Sequence, residues 1–297
     1  MGNWIRAAAL LTLLLMGCGG ATAQEKVRVV ATFSILADLA NNVGGDRVQV
    51  VSLVGPNGDG HAYSPSPSDA KRLADAKLVL VNGLGFEGWI DRLVKASGTK
   101  AAVVMVSKGI KPRRMVDEHD HGNVDPHAWQ SVANAKEYVA NIRDALVGVD
   151  PAGKSAYEAN ASAYLAKLDT LEREIKETIA AIPAARRKII TTHDAFGYFG
   201  AAYDMQFIAP QGVSTEAEVS ARDVARLIRQ IKAQKIPAVF MENVTDPRLM
   251  KRIAEESGAR IGGKLYSDAL SEPAGPAATY LDMMRSNLRE FRTALTS

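Results

Sequence analysis

This chain has only five histidines, and two of them, His61 and His193, follow segments that are predicted to be parallel strands. His61 lies in a glycine-rich loop after the apolar run that ends at Val54, and His127 lies in a turn before a helix. His193 directly follows the β-rich run 188–192. Ligands of open parallel sheets bind just beyond the carboxyl ends of the strands, so these imidazoles are candidate ligands in a cleft.

A fourth candidate is Asp268, which follows a short predicted strand or its exit near Leu265. Zinc accepts three imidazoles and one carboxylate in tetrahedral geometry, without any thiolate. Manganese favours more oxygen ligands, so the set favours zinc over manganese, although copper and nickel also bind imidazole. Each residue also has an ordinary interpretation, because a single loop histidine is commonly solvated and Asp268 fits a helix N-cap. The predicted metal ligands are His61, His127, His193 and Asp268.

The other two histidines, His119 and His121, lie in the acidic segment 117–123. Such a segment can bind a divalent cation weakly and pass it on, which makes it a candidate auxiliary metal loop. A solvated loop with incidental histidines is an equally good interpretation.

Two glycine-rich segments are similar to nucleotide-binding motifs but lack features that those motifs need. Residues 83–88 fit G-x-G-x-x-G after a strand, yet Glu87 places negative charge where a pyrophosphate would bind. Residues 258–265 are close to a P-loop, but Leu265 stands where a magnesium-binding hydroxyl is required. This second segment precedes a predicted strand, and we interpret it as a turn.

Apolar runs alternate with helical patterns in both halves of the chain, which predicts parallel sheets wrapped by crossover helices. Between the halves, apolar residues recur at steps of three and four from residue 157 to residue 182. About 30 helical residues would span about 45 Å, more than one lobe needs, although a surface helix of one domain is the alternative. The predicted fold is α/β, with two lobes joined by one long rigid helix. The predicted bounds are 24–150 for the first lobe, 151–183 for the linker helix and 184–297 for the second lobe.

The first 23 residues are predicted to be a signal peptide for export to the periplasm. Arg6 supplies the positive charge, residues 7–16 are apolar, and Ala21-Thr22-Ala23 fits a cleavage site. The single cysteine, Cys18, lies in this segment, so a chain cut after Ala23 has no thiolate ligand and no disulfide. Lipid attachment at Cys18 is the less favoured alternative.

The overall composition is that of a globular protein, with 297 residues, 47% of them hydrophobic and 23% charged. The 36 Lys and Arg residues nearly cancel the 33 Asp and Glu residues, and no long basic run occurs. These features argue against nucleic acid as a partner.

Four segments resemble, in order, the ligand motifs of the zinc- and manganese-specific solute-binding proteins of bacterial ABC transporters, the cluster A-I or cluster 9 family. The segments are 60–69 (GHAYSPSPSD), 125–129 (DPHAW), 192–199 (THDAFGYF) and 266–270 (YSDAL). The resemblance covers essentially the whole chain after the signal peptide. It implies a two-lobed clamp in which His61 and His127 come from the first lobe, and His193 and Asp268 from the second.

The resemblance also bears on the identity of the metal. Manganese members commonly have glutamate as the third ligand, so His193 points to the zinc branch. Many zinc members carry a long histidine-rich loop before the second motif, whereas this chain has only His119 and His121 there.

The implied function is that of a periplasmic monomer that captures one Zn(II) ion per chain and delivers it to an ABC permease in the inner membrane. A metal chaperone is a further candidate partner. Because histidines must be neutral to bind a metal, affinity is expected to fall below a pH of about 6 to 6.5. A closed four-ligand site leaves no position for a substrate, so no enzyme activity is predicted.

Two alternatives remain open from the sequence. The first is a manganese-binding protein of the same transporter class. The second is an exported zinc hydrolase in which His193 and Asp268 share a water, Glu216 or Glu218 is the base, and Asp194 orients an imidazole. The two glutamates belong to the loop 211–218, which is otherwise expected to be solvated or to line the mouth of the cleft.

Overall fold

Two four-stranded parallel sheets, one in each lobe, organise the fold. The computed structural model describes residues 25–114, 124–216 and 219–296. The predicted signal peptide with Cys18, the auxiliary-loop residues His119 and His121, and Glu218 lie outside these ranges. Among the residues that are described, no helix combines the length and apolar character needed to cross a membrane.

The first lobe has the sheet order β2-β1-β3-β4 and a short antiparallel β5–β6 hairpin. Its strands are β1 (Val27–Phe33), β2 (Val48–Val54), β3 (Leu78–Val81), β4 (Ala102–Met105), β5 (Arg113–Arg114) and β6 (Val124–Asp125). Its helices are α1 (Ser34–Gly44), α2 (Pro67–Asp75), α3 (Ile90–Ser97) and α4 (Val132–Val149). The central strands β1 and β3 are almost wholly buried, because helices cover both faces of a parallel sheet.

One long helix, α5 (Lys154–Ala180), follows the first lobe. It has 27 residues, which corresponds to a length of about 40 Å. Its buried side chains recur at steps of three and four, as the sequence predicts, and Leu165 is only half-buried. The helix packs against α1 and α4 in the first lobe and against the last helix of the second lobe, and so links the two.

The second lobe has the sheet order β10-β9-β7-β8. Its strands are β7 (Lys188–Ile190), β8 (Gln206–Ile208), β9 (Ala238–Glu242) and β10 (Arg260–Leu265). Its helices are α6 (Gly197–Tyr203), α7 (Ala221–Gln234), α8 (Arg248–Ser257) and α9 (Tyr280–Thr296). Ser220 is the N-cap that precedes helix α7, and its side chain accepts a hydrogen bond from the backbone N–H of Asp223.

The two sheets share one strand order when each is read from its first strand in the chain: second, first, third, fourth. In both lobes the chain reverses its direction of winding between the first and third strands, and loops diverge there at the carboxyl ends. In the second lobe these strands are β7 and β9, which precede His193 and contain Glu242.

The glycine-rich segment before Leu265 differs from its prediction. We expected a turn, but Arg260–Leu265 is the edge strand β10 and pairs with β9. The register shifts between Ile261 and Lys264, where Gly263 has a φ of 120° that favours glycine. Gly262 and Gly263 therefore lie in a β-bulge, and these adjacent glycines made the strand look like a turn in the sequence.

Candidate metal centre

The four predicted ligands meet between the lobes. One potential ligand atom from each of His61, His127, His193 and Asp268 lies within 4.8 Å of all the others. His61 comes from the loop between β2 and α2, His127 follows β6, His193 follows β7, and Asp268 follows β10.

The distances between these atoms are those of a small coordination shell. Nε2 of His61 lies 3.1 Å from Nε2 of His127 and 3.5 Å from Oδ2 of Asp268. Asp268 is also 3.1 Å from Nε2 of His193 and 3.6 Å from Nε2 of His127. Zinc bonds of about 2.0–2.1 Å in tetrahedral geometry place ligand atoms about 3.3–3.4 Å apart. The cluster therefore needs little rearrangement to hold such an ion.

His127 is fixed by the turn that follows the β5–β6 hairpin. Oδ1 of Asp125 accepts a hydrogen bond from the backbone N–H of His127 at 3.0 Å and lies 2.9 Å from its Nδ1. Nδ1–H therefore donates to Asp125, so that loss of the second ring proton leaves the lone pair on Nε2, toward the cluster. The next turn begins the short 3-10 helix Ala128–Gln130, which leads into α4.

His193 is held by the carboxylate of Glu242, at the end of β9, through hydrogen bonds to the backbone and close contact with the ring. Oε1 of Glu242 accepts hydrogen bonds from the backbone N–H groups of Thr192 and His193, at 2.7 and 3.0 Å. Oε2 lies 2.5 Å from Nδ1 of His193. One carboxylate thus fixes both the backbone and the ring of this residue, again with Nε2 toward the cluster.

His61 is held mainly through its backbone and through packing. Oδ1 of Asp59 accepts a hydrogen bond from the backbone N–H of His61 at 2.9 Å. The carbonyl of Gly60 accepts one from the indole of Trp89 at 2.9 Å, and the Phe86 ring lies 4.6 Å from the imidazole. These contacts place the side chain at the edge of the cluster, where 6% of its surface is exposed.

Asp268 supplies the negative charge of the cluster and is fully buried. Among the described residues, neither of its carboxylate oxygens has a partner with hydrogen-bond geometry. Burying a carboxylate without such partners is costly unless a cation or protonated groups compensate it. The three surrounding imidazoles can supply this compensation, either by being protonated or by binding a cation together with Asp268.

The charges in the cluster are strongly coupled. Burial disfavours the charged form of His127, but the carboxylates of Asp268 and Asp125 outweigh that effect and raise its pKa to about 9. Burial also opposes protonation of His193, yet Glu242 and Asp268 raise its pKa well above the usual value. Burial would raise the pKa of Asp268, but the imidazoles of His193 and His127 hold it well below the usual value. Burial lowers the pKa of His61.

These shifts change the expected pH window for metal binding. Simple imidazoles would compete with protons only below about pH 6.5. With the pKa of His127 near 9, a cation must displace a proton from the cluster at neutral pH as well.

Comparison with known proteins identifies the family of the chain. Residues 29–294 match the family described as zinc-uptake complex component A, periplasmic. The chain belongs to this zinc-uptake component A family. Its members are metal-binding, substrate-binding components of ABC transporters, as the resemblance of the four motifs implies.

Individual relatives within the zinc-uptake component A family are named for different metals. The manganese-binding lipoprotein MntA of Halalkalibacterium halodurans is 36% identical over 97% of this chain and 96% of its own length. The iron-binding protein YfeA of Yersinia pestis is 34% identical over 95% of this chain and 93% of its own length. Both names describe metal binding, but they specify different ions.

Solved structures show the same fold. The periplasmic zinc-binding protein TroA of Treponema pallidum has a TM-score of 0.86 and 31% identity, and covers 91% of this chain and 99% of its own. A manganese-bound periplasmic metal-binding protein of Candidatus Liberibacter asiaticus has a TM-score of 0.82 and 32% identity, with 91% and 100% coverage. The α/β fold with two parallel sheets and a long linking helix is therefore that of the zinc-uptake component A family.

The hydrolase interpretation made Asp194 the partner of an imidazole. Asp194 does not orient His193 or His127, because the Nδ1 atoms of these residues face Glu242 and Asp125 instead. Sequence reasoning missed the role of Glu242, although its position at the end of a central strand was a usable signal.

Glu87, in the G-x-G-x-x-G segment, is buried, and its carboxylate binds the backbone of that loop. It accepts hydrogen bonds from the backbone N–H groups of Asn82 and Gly83, at 2.6 and 3.1 Å, and from the hydroxyl of Thr32 at 2.6 Å. A pyrophosphate would need the N–H groups that this carboxylate already binds.

A cavity of about 280 Å³ opens onto His61, and Glu216 and Ser214 line its rim together with Pro126 and Leu84. Glu216 therefore lies at the mouth of the cluster, one of the two positions considered for it. It is exposed, and the ligand cluster lies beyond His61.

Proposed function

We propose that this protein captures one Zn(II) ion per chain between its lobes through His61, His127, His193 and Asp268, and delivers it to an ABC permease. The observation that carries the proposal is the buried N3O cluster with spacings of 3.1 to 3.6 Å. Zinc forms stable four-coordinate complexes with such a set. The zinc-binding relative TroA, which shares the fold, supports the same assignment.

Manganese is the second candidate, because the relative MntA, at 36% identity, is named as a manganese-binding lipoprotein. Three imidazole nitrogens favour zinc over manganese, which prefers carboxylate, carbonyl and water oxygens. His193 also stands where manganese members of the resembled family commonly have glutamate. A direct comparison of the two ions therefore decides between these candidates.

The delivery cycle follows from the position of the cluster. An ion would reach His61 from the cavity, lose its water and become enclosed by ligands from the two predicted lobes, 24–150 and 184–297, on either side of the 151–183 linker. The permease would then take it by opening the site or by protonating a ligand. We propose a monomer in the periplasm, with a metal chaperone as a further partner and His119 and His121 as a weak auxiliary site.

Export through the predicted signal peptide fits the periplasmic description of the family. Several relatives are named lipoproteins, which supports Cys18 as a lipid-attachment site in place of cleavage after Ala23. The relatives have the names of binding proteins of transporters and not of hydrolases, which supports a function in transport without catalysis.

The test is a titration of metal-free protein, residues 24–297, with zinc and with manganese. We expect one zinc ion per chain, bound far more tightly than manganese. Losing an outer partner of a ligand typically costs 10- to 100-fold in metal affinity, so His193→Ala should cost more than about 100-fold. A double His119→Ala and His121→Ala variant is the matched control and should keep the tight site.

Three other outcomes would change the proposal. Tighter binding of manganese would transfer the function to the second candidate. Zinc binding that is weak, or that persists in the His193 variant, would refute the assigned ligand set. Loss of tight binding in the double control variant would move the site to the auxiliary loop.

A further inference from the structure

A hydrogen bond closes the mouth of the cluster between two loops of different lobes. The hydroxyl of Thr215 donates to Oδ2 of Asp59 at 2.6 Å, across 156 positions of the chain. The other oxygen of the same carboxylate accepts from the backbone N–H of His61 at 2.9 Å. One aspartate therefore connects the outermost proposed ligand to the facing lobe.

His61 is the ligand that an escaping ion would pass. His127, His193 and Asp268 are fully buried, whereas His61 borders the cavity. The rim of that cavity includes Ser214, the neighbour of Thr215 in the chain. The segment 211–216 thus covers the route between the cluster and solvent.

The Asp59 side of this contact is anchored independently. The backbone N–H of Asn57 donates to the carbonyl of Leu270 at 2.8 Å, and the indole of Trp89 donates to the carbonyl of Gly60 at 2.9 Å. These bonds fix the chain on both sides of Asp59 without Thr215.

The Thr215 side is anchored near Gln211, whose side-chain amide also donates to the carbonyl of Thr215 at 3.2 Å. Gln211 forms a bridge with His193, and the carbonyl of Gly212 accepts a hydrogen bond from the backbone N–H of Asp194 at 3.1 Å. Within the part of this loop that the structure describes, the hydroxyl of Thr215 is the group that binds the facing lobe, through Asp59. Breaking that bond would remove this link between the loops, while the ligands keep their own partners.

We propose that the Thr215–Asp59 hydrogen bond is a latch that sets the residence time of the bound metal ion. This inference rests on the proposed function, because it concerns the release of the ion from that site. Thr215 is a positioning residue, since its hydroxyl binds Asp59, which in turn binds the backbone of His61. Hydrogen bonds to charged groups contribute about 1.5–3 kcal/mol, and 1.4 kcal/mol corresponds to a factor of ten. We therefore expect loss of the latch to speed dissociation of zinc by about tenfold or more.

The experiment compares three variants of the purified zinc-loaded protein with the unchanged protein. Thr215→Val removes the hydroxyl and keeps the shape, Thr215→Ser keeps a hydroxyl, and Thr170→Val is a control that makes the same change at a partly exposed position of α5. Each protein is mixed rapidly with an excess of a chromophoric chelator, and the rate of zinc transfer is measured. Thermal unfolding of the metal-free proteins reports any general loss of structure.

The proposal predicts faster release from Thr215→Val only, with unchanged unfolding temperatures and a normal rate for Thr215→Ser. Equal rates for the valine variant and the unchanged protein would overturn the latch and leave the proposed function intact. Faster release from Thr215→Ser or Thr170→Val as well would also overturn it, because the hydroxyl-to-carboxylate bond would not be the cause. Failure of the unchanged protein to bind zinc would overturn the proposed function, and the latch with it.

Discussion

Replacing Glu242 by glutamine tests how the protein presents His193 to a metal. The glutamine oxygen can still accept from the backbone N–H groups of Thr192 and His193, which Oε1 now binds at 2.7 and 3.0 Å. Its amide NH2 then occupies the place of Oε2, which lies 2.5 Å from Nδ1 of the imidazole. An amide donates a hydrogen bond there, so Nδ1 must accept and the ring proton must move to Nε2. The nitrogen that faces the cluster would then carry a proton in place of a lone pair.

The size of the effect follows from the role of such outer partners. Their loss typically lowers metal affinity by 10- to 100-fold, or about 1.4–2.7 kcal/mol. We expect Glu242→Gln to lie at the upper end, because the substitution favours the wrong tautomer in addition to removing charge. Because the cause is the tautomer of a neutral ring, the deficit should persist above pH 9. A deficit caused by proton competition would instead disappear there.

The assay is a competition titration with a zinc chelator of known affinity at pH 7 and at pH 9.5. Glu216→Gln is the matched control, since Glu216 is an exposed carboxylate at the mouth and the control should stay within about twofold of the unchanged protein. Thermal unfolding of the metal-free variant separates a local effect from loss of the fold. Affinity of Glu242→Gln within twofold of the unchanged protein would refute the argument that this carboxylate fixes the binding tautomer.

Three further predictions concern protons and packing. Zinc binding at pH 7.5 should release about one proton or more, because the pKa of His127 is raised to about 9, and calorimetry in two buffers of different ionisation enthalpy measures this release. Protonated His127 also contributes to the stability of the metal-free protein, and this contribution is fully present below about pH 6.5. It should be lost as the pH rises through 9, which a falling unfolding temperature would show. In α5, Leu168→Ala should lower the free energy of unfolding by about 2–5 kcal/mol because the side chain is fully buried, and denaturant titration should show a smaller loss for Leu165→Ala, which is half-buried.

The sequence was sufficient to predict the four clustered residues and the long helix, for physical reasons. His61 and His193 follow strand-like apolar runs, and loops at the carboxyl ends of parallel strands converge on one edge of a sheet. The helix α5 shows its period over many turns, from Tyr157 to Ile179, and a pattern of that length is hard to mistake.

The partners of the ligands were harder to predict. Asp125 is two residues from His127, so a short-range turn could suggest its role. Glu242 is 49 positions from His193 in the chain, and the two meet only because β9 lies beside β7 in the sheet. Strand order is a tertiary property that periodicity does not report.

Short and irregular elements also escaped prediction. Strand β8 has three residues and helix α6 has seven, too few to establish a period. Strand β10 contains two adjacent glycines, and a Cβ at Gly262 would meet the ring of Phe240. Close packing against an aromatic ring therefore requires glycine inside this strand, where a local rule indicates a turn.

The contacts between the lobes determine what kind of opening can release an ion. The indole of Trp129 and the side-chain amide of Gln130 both donate to the carbonyl of Ser267, at 2.9 and 2.8 Å, next to the proposed ligand Asp268. The backbone N–H of Leu270 donates to the hydroxyl of Ser34 at 2.9 Å, and these groups are buried. A wide rotation of the lobes would break all of these bonds and bend α5, which packs against helices of both lobes. Each buried group left without a partner costs about 1–3 kcal/mol, so such a rotation is far more costly than releasing the single exposed-side contact of Thr215. Exchange of the ion is therefore expected to proceed through movement of the loops at the mouth, with the two lobes keeping their relative position.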